Sequence, residues 1–429
     1  MKIFSLILLV MIMISFRATA SFALPAFARK YNLSCTSCHT KPPRLNSFGE
    51  AFHMAGFQIP MVTEGELRAK RRIGSIFSET HLLDIFSVVA RGDLARYTSK
   101  KSSLPFPENI ELYLAGTFTD AISYFFEFEH ERENDLGNPT FGLGKEAFVM
   151  INLPVLFRPG SHTMSSHGAV HGPMMMVGKI DPSTNFSYPT NRQIIENVPS
   201  YAFASKFFGL MTADKNPLLV SHPVLYNTTG SPGIDLHAML GNAIIQAGVM
   251  EGNNANPSDE NNKKDFYLMG RINLGGASYI SGSLSSFGYF GYDTALVSTA
   301  ATITAATSSA LVDWRRVGIG GNIKYRFLDL YGAYIEDTLQ NLPTTVSSGF
   351  DKHAAGFTIE GDYLTSDRHL VSLRYDHMRA GGAPERQNGS VLTLQSRYYL
   401  RDNFSFYLRN SIHNESVQNV IASGLNFDF

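Results

Sequence analysis

The sequence predicts an all-β chain: a transmembrane antiparallel β-barrel of about 16 strands, preceded by a small helical N-terminal module. Three observations carry this reading. After residue 20 no stretch approaches the ~20 consecutive apolar residues of a membrane helix, yet only 17% of residues are charged and 12% are aromatic, with 31 Phe and 19 Tyr. Segments of about ten residues alternate apolar and polar side chains and are separated by turn residues. The chain closes on Leu425-Asn426-Phe427-Asp428-Phe429, an alternating strand with a terminal Phe, which resembles the C-terminal signal of bacterial outer-membrane proteins. A mean hydropathy of -0.06 fits apolar residues diluted by alternation and excludes a helical bundle. The balance of 36 Lys+Arg against 37 Asp+Glu excludes a basic field for nucleic acid.

Residues 1–20 read as a cleaved secretory signal. Lys2 is followed by an apolar run from Ile3 to Phe16 and by Ala18-Thr19-Ala20, of small-x-small form; a second cut is available after Ala23. The competing reading, an uncleaved anchor, needs a longer apolar run than this one.

Residues 21–72 form the second unit. An exported chain is free to build disulfides, yet this one has 2 cysteines, spaced as Cys35-Thr36-Ser37-Cys38-His39. CxxCH is the attachment sequence of a c-type haem. The two thiols add to the two vinyl groups as thioethers, and the histidine that follows supplies an imidazole to the iron. A zinc site would want further cysteines, and a thioredoxin-like pair would want a βαβ context, which the flanks do not show. One covalently bound haem c is therefore expected on Cys35 and Cys38, with His39 as proximal iron ligand. Downstream, Asn46 to Gly56 reads as a short helix capped by Asn46 or Ser47 and stopped by Gly56. Phe48, Ala51, Phe52 and Ala55 make its apolar face, available to lie on the haem. His53 and Met54 carry donor atoms suited to iron and are the candidate distal ligands; Met61 and His81 are further ones.

Leu24-Pro25-Ala26-Phe27-Ala28-Arg29, the CxxCH sequence, Pro43-Arg44-Leu45-Asn46-Ser47-Phe48-Gly49-Glu50-Ala51-Phe52 and Gly56-Phe57 together resemble the haem module of the fused outer-membrane cytochrome-porins. That family includes the iron(II)-oxidising outer-membrane cytochromes c. The resemblance covers about residues 24 to 60; beyond them it is architectural. It implies a monohaem plug fused to a porin-like barrel, carries Cys35, Cys38 and His39 across, and carries no distal ligand.

Residues 73–429 supply the barrel. Ile110, Leu112 and Leu114 alternate with Glu111, Tyr113 and Ala115; Phe266, Leu268 and Ile272 with Tyr267, Met269 and Arg271; Leu373 and Tyr375 with Arg374 and Asp376; Leu392 and Leu394 with Thr393 and Gln395. Alternation also suits a soluble sandwich, but the polar stripes hold charges that a water-filled lumen needs, while Phe, Tyr and Leu fill the others. At about 22 residues per strand and connection the length gives ~16 strands, within roughly 14 to 18. Turns are expected at Asn134 to Pro139, Gly252 to Pro257 and Arg379 to Gly382, and a Thr/Ala/Ser loop from Val297 to Ala310. His162 to Met176 concentrates three His and four Met. It reads as a polar loop leading into an apolar strand at Met174, with binding of copper or haem iron as the sharper alternative.

A redox centre in a membrane tube implies an outer-membrane electron carrier. It would work between an extracellular donor or acceptor, Fe(II) by resemblance, and periplasmic soluble c-type cytochromes, with outer-membrane lipid around the barrel. The alternatives are a solute-diffusion porin with a structural or sensory haem, and a soluble periplasmic monohaem cytochrome with a β-rich domain. No Ser-His-Asp or paired-carboxylate constellation stands out, so no catalytic side chain is expected; an enzyme of this design would be an iron(II):cytochrome c oxidoreductase.

Overall fold

The computed structural model describes residues 25–59, 85–98, 102–131, 140–157, 172–188, 193–195, 231–251, 263–275, 280–297, 308–340, 353–380, 387–414 and 419–428. The signal segment, the boundary expected at 72/73, Met61, His81, the loop from His162 to His171 and Phe429 lie outside the described residues.

The N-terminal module comprises α1 (Pro25–Tyr31), α2 (Cys35–Cys38), the short strands β1 (His39–Lys41) and β2 (Arg44–Leu45), and α3 (Ser47–Met54). There follow β3 (Phe86–Tyr97), β4 (Ser102–Ser103), β5 (Asn109–Thr117), β6 (Ile122–Glu131), β7 (Thr140–Asn152), α4 (Leu153–Phe157), β8 (Met174–Ile180), β9 (Ser231–Leu240), β10 (Ala243–Met250) and β11 (Asp265–Leu274). The last are β12 (Ile280–Val297), β13 (Ser308–Tyr325), β14 (Leu328–Gln340), β15 (His353–Ser366), β16 (His369–Ala380), β17 (Gln387–Arg401), β18 (Phe404–His413) and β19 (Val420–Asp428).

Apart from the two-residue β4, which edges β3, these strands pair antiparallel with their sequence neighbours. β19 returns to β3 through Leu425 opposite Gly92 and Phe427 opposite Ala90, closing a barrel of 16 strands. Closure leaves no unpaired edge, the condition under which strands can cross a bilayer.

The alternating stripes sort as expected. Leu268, Ile323, Leu373, Leu394 and Leu408 are at least half exposed on the outer face, whereas Arg316, Arg374 and Arg397 are at most 2% exposed on the inner face. Apolar residues outside and charges inside invert the arrangement of a soluble protein, as a barrel bathed in lipid requires.

The strands run on into two of the expected turns. Arg379 and Ala380 belong to β16, and the Thr/Ala/Ser loop is shortened at both ends because Val297 pairs with Ser308, Leu296 with Ser309 and Ala295 with Ala310. Backbone pairing continues there although the side chains alternate weakly. The other two turns, within 132–139 and 252–262, lie outside the described residues.

Among the described residues the two-residue turns lie at one end: Gly241-Asn242, Arg326-Phe327, Asp367-Arg368 and Asp402-Asn403. The start of β3 and the end of β19 are at that end too. The lumen holds the N-terminal module there. It also receives residues 181–188 and 193–195, which fold inward after β8: the Asn185 amide donates to Gln246 (3.0 Å), the Ser187 N–H to Ser285 (2.9 Å), and Arg374 to the Ile195 carbonyl (3.0 Å).

Candidate haem-attachment site

Cys35 and Cys38 begin and end the single turn of α2, and His39 leaves it in an extended conformation as the first residue of β1. Asn46 fixes this turn to α3 with every polar group it has. Its side-chain amide donates to the carbonyls of Thr36 (3.1 Å) and Ser37 (3.0 Å), and its N–H donates to the Cys38 carbonyl (2.9 Å). Its Oδ1 accepts from the Gly49 N–H (2.9 Å), the N-cap expected from sequence. The α3 backbone comes so close to α2 that a Cβ on Gly49 would lie 2.1 Å from the Cys38 carbonyl oxygen, so only glycine fits.

The far end of α3 is stopped as expected. Gly56, at φ +69°, donates to the His53 carbonyl and Phe57 to the Phe52 carbonyl, the paired bonds of a Schellman ending. Phe52 meets Phe27 and Tyr31 of α1 edge to face at 5.3 and 5.5 Å, and Phe48 is left 40% exposed at the rim.

Cys35 and Cys38 are not bonded to each other. Burial raises both thiols: Cys38 is pushed up to about 11, and Cys35 is raised further, with the carboxylates of Asp402 and Asp428 adding to the effect of burial. Groups held as neutral thiols are poor metal-thiolate ligands or disulfide-exchange nucleophiles. They suit addition of S–H across a vinyl group, and the exposed neighbours Ser34, Thr36 and Ser47 leave the turn open at the mouth. The residues fit the group, and the spacing supports one covalently bound haem c.

The two distal candidates separate on the helix. His53 lies one turn beyond Gly49, on the stripe that abuts α2, with its ring against Phe57 (5.3 Å). Met54 lies one turn beyond Glu50, whose carboxylate bonds Arg271 of β11 at 2.6 Å, and is buried with Met150, Met174 and Met176 of the barrel wall. Sequence alone had set them side by side.

The module is bonded to β3, β5, β13 and β17. Arg29 donates to the Phe86 carbonyl (2.6 Å), Lys30 to Thr117, Lys324 to Thr40 (2.8 Å), and Tyr399 to the Pro42 carbonyl (3.0 Å). Arg44 is 4% exposed, reaches Glu360 (2.6 Å) and Asp362 (3.2 Å), and stacks its guanidinium 3.6 Å from the centre of the Tyr331 ring. Sequence reading gave Arg44 no role beyond the resemblance. The available signal was a pair of cations, Lys41 and Arg44, flanking Pro42-Pro43, but the carboxylates that hold Arg44 lie over 300 residues away. Among the described residues no cluster of three or more His, Cys, Asp or Glu is placed to hold a metal ion.

No family model matches the chain, and no curated protein does. The fold is shared with solved structures. OmpT, an outer membrane protein of Vibrio cholerae, folded in vitro, superposes with a TM-score of 0.51 at 10% identity over 80% of this chain and 96% of that one. Its loop L8 deletion mutant gives 0.50 at 11% identity over 80% and 98%. OmpF of Salmonella typhi, in complex with daunomycin, gives 0.50 at 9% over 81% and 97%. At such identities the likeness is one of fold: this is a porin-type barrel of the outer membrane, with a haem c attachment motif in its lumen.

Proposed function

We propose that the protein carries electrons across the outer membrane between an extracellular donor or acceptor, Fe(II) being the leading donor, and periplasmic soluble c-type cytochromes. The observation that carries this reading is the position of Cys35-Cys38-His39 inside a closed barrel, at the end where the two-residue turns lie. Short turns face the periplasm in bacterial outer-membrane barrels, which turns the motif toward soluble periplasmic carriers. Bound haem c supplies a one-electron couple at iron. The chain's own residues do the rest. Cys35 and Cys38 would anchor the ring and His39 would supply its imidazole to the iron. Asn46 and Gly49 hold the turn in place. Of the two distal candidates, His53 is favoured because its stripe of α3 faces the motif, whereas Met54 packs on the wall. Ferrous iron is substrate in this scheme, and the reaction class would be iron(II):cytochrome c oxidoreduction.

A second reading, solute diffusion with a structural or sensory haem, is favoured by the porin-type barrel fold shared with outer-membrane proteins. One reconstitution separates the two. Haem-loaded protein in liposomes enclosing ferricytochrome c should reduce it when an Fe(II) chelate is added outside, and a Cys35→Ala/Cys38→Ala variant should not. Absence of haem-dependent reduction, with liposomes that swell in small sugars, would leave the diffusion reading.

A further inference from the structure

The chain that leaves β8 turns back into the lumen from the end opposite the two-residue turns, and its descent brings it to the plug. Ser183 to Tyr188 and Gln193 to Ile195 are at most 5% exposed. Three wall residues, on strands spread around the barrel, each hold this segment with one group and the plug with another. Glu360 of β15 accepts from Arg44 on one oxygen (2.6 Å) and from the Tyr188 hydroxyl on the other (2.9 Å). Arg271 of β11 donates to the Glu50 carboxylate of α3 (2.6 Å) and to the Asn185 carbonyl (3.4 Å). Tyr399 of β17 donates its hydroxyl to the Pro42 carbonyl (3.0 Å), while it shares an apolar cluster with Ile194.

Sharing a partner couples the two occupants. With the segment seated, Glu360 is fully buried and its pair with Arg44 acts in a medium of low dielectric, where charges attract most strongly. Lifting the segment admits water to the same carboxylate and screens that pair. Arg374 completes the joint: it lies 3.7 Å from Glu360 and donates to the Gln193 side chain (3.2 Å) and the Ile195 carbonyl (3.0 Å). A buried polar network of this kind is worth more complete than as separate pairs.

We propose that residues 181–188 and 193–195 form a brace on the extracellular side of the plug, coupled to the haem-bearing hairpin through Glu360, Arg271 and Tyr399, so that displacing the brace loosens the plug. An event at the extracellular mouth then reaches the haem motif without touching it, and by linkage the state of the plug is felt at the mouth. The inference rests on the contacts of barrel and plug and is independent of the electron-carrying reading. The test is hydrogen exchange at residues 39–59 of the haem-loaded, detergent-purified full chain, with the iron in one oxidation state and heat-modifiable gel migration confirming the barrel in every variant. Tyr188→Phe removes the hydroxyl bond to Glu360 and should speed exchange there by about tenfold. A second variant acts in the opposite sense, which general weakening cannot do. Ser187 Oγ and Ser283 Oγ lie 2.9 Å apart, so Ser187→Cys/Ser283→Cys should close a disulfide that fastens the brace to β12. Exchange at residues 39–59 should then be slower in the oxidised than in the reduced pair. Wild-type exchange in Tyr188→Phe overturns the proposal. So does equal exchange in the oxidised and reduced pair, or failure of the pair to close.

Discussion

The two sides of the lumen hold the same plug by opposite physics. On the wall of β13 to β17, the hairpin that follows the CxxCH turn is held by charge and hydrogen bonds: Arg44 to Glu360 and Asp362, Lys324 to Thr40, Tyr399 to Pro42. On the wall of β6 to β9, the end of α3 is held by packing. Phe57 stacks between Phe27 (4.7 Å) and Phe125 (5.7 Å), and Met54 lies among wall methionines. The difference teaches where precision is needed. Bonds of fixed direction set the orientation of the segment carrying His39, whereas adaptable thioethers fill whatever shape remains at the back of the plug.

If that division is right, the largest effect should come from the charged side. Arg44→Ala leaves the buried Asp362 without its cation and Glu360 with only the longer pair to Arg374 (3.7 Å), and loses the stack on Tyr331. A cost of about 3–5 kcal/mol is expected for breaking a buried pair in this way. Hydrogen exchange should show residues 25–59 losing protection while the barrel strands keep theirs. Unchanged protection would mean that packing, not charge, docks the plug. Next in size is Asn46→Ala, which removes the α3 cap and both side-chain bonds to α2. About 0.5–2 kcal/mol is expected from the cap, read as lower haem content per protein at equal barrel yield. Equal haem content would show that the turn keeps its shape without the clamp.

Much of this division lay beyond local pattern. Period-two stripes sorted Leu268 from Met269 and Leu373 from Arg374, because one face of each strand meets lipid and the other the lumen. The α3 boundaries followed from the Asn46 cap and Gly56, and Cys35, Cys38 and His39 from a spacing that haem chemistry demands. Arg44 and its acids escaped because they are 316 and 318 residues apart in sequence, and alternation says that Glu360 faces inward without saying what it meets. The sorting of His53 from Met54 needed the wall against which α3 lies.

Smaller effects are expected on the packed side. Met150→Leu conserves volume in an apolar cluster, so its cost should stay below about 1.5 kcal/mol, well under that of Arg44→Ala, by the same exchange measurement. The reverse order would exchange the roles of the two walls.

The smallest effect concerns the thiols before haem is attached. Burial raises Cys38 from 9.0 to about 11, so in the alkaline interval the folded apo-protein retains a proton that the unfolded chain releases. The stabilisation is complete below pH 9.0 and is lost as pH rises through about 11. Alkylation of Cys38 in the apo-protein should accordingly reach half its maximal rate near pH 11, and the apo-protein should lose resistance to denaturant over that interval. Haem-loaded protein, whose sulfurs are thioethers and carry no titrating proton, should not. A half-point at the ordinary 9.0 would mean that the motif turn is solvated in the apo state. In that case the bonds from the charged wall would form only after the haem is in place.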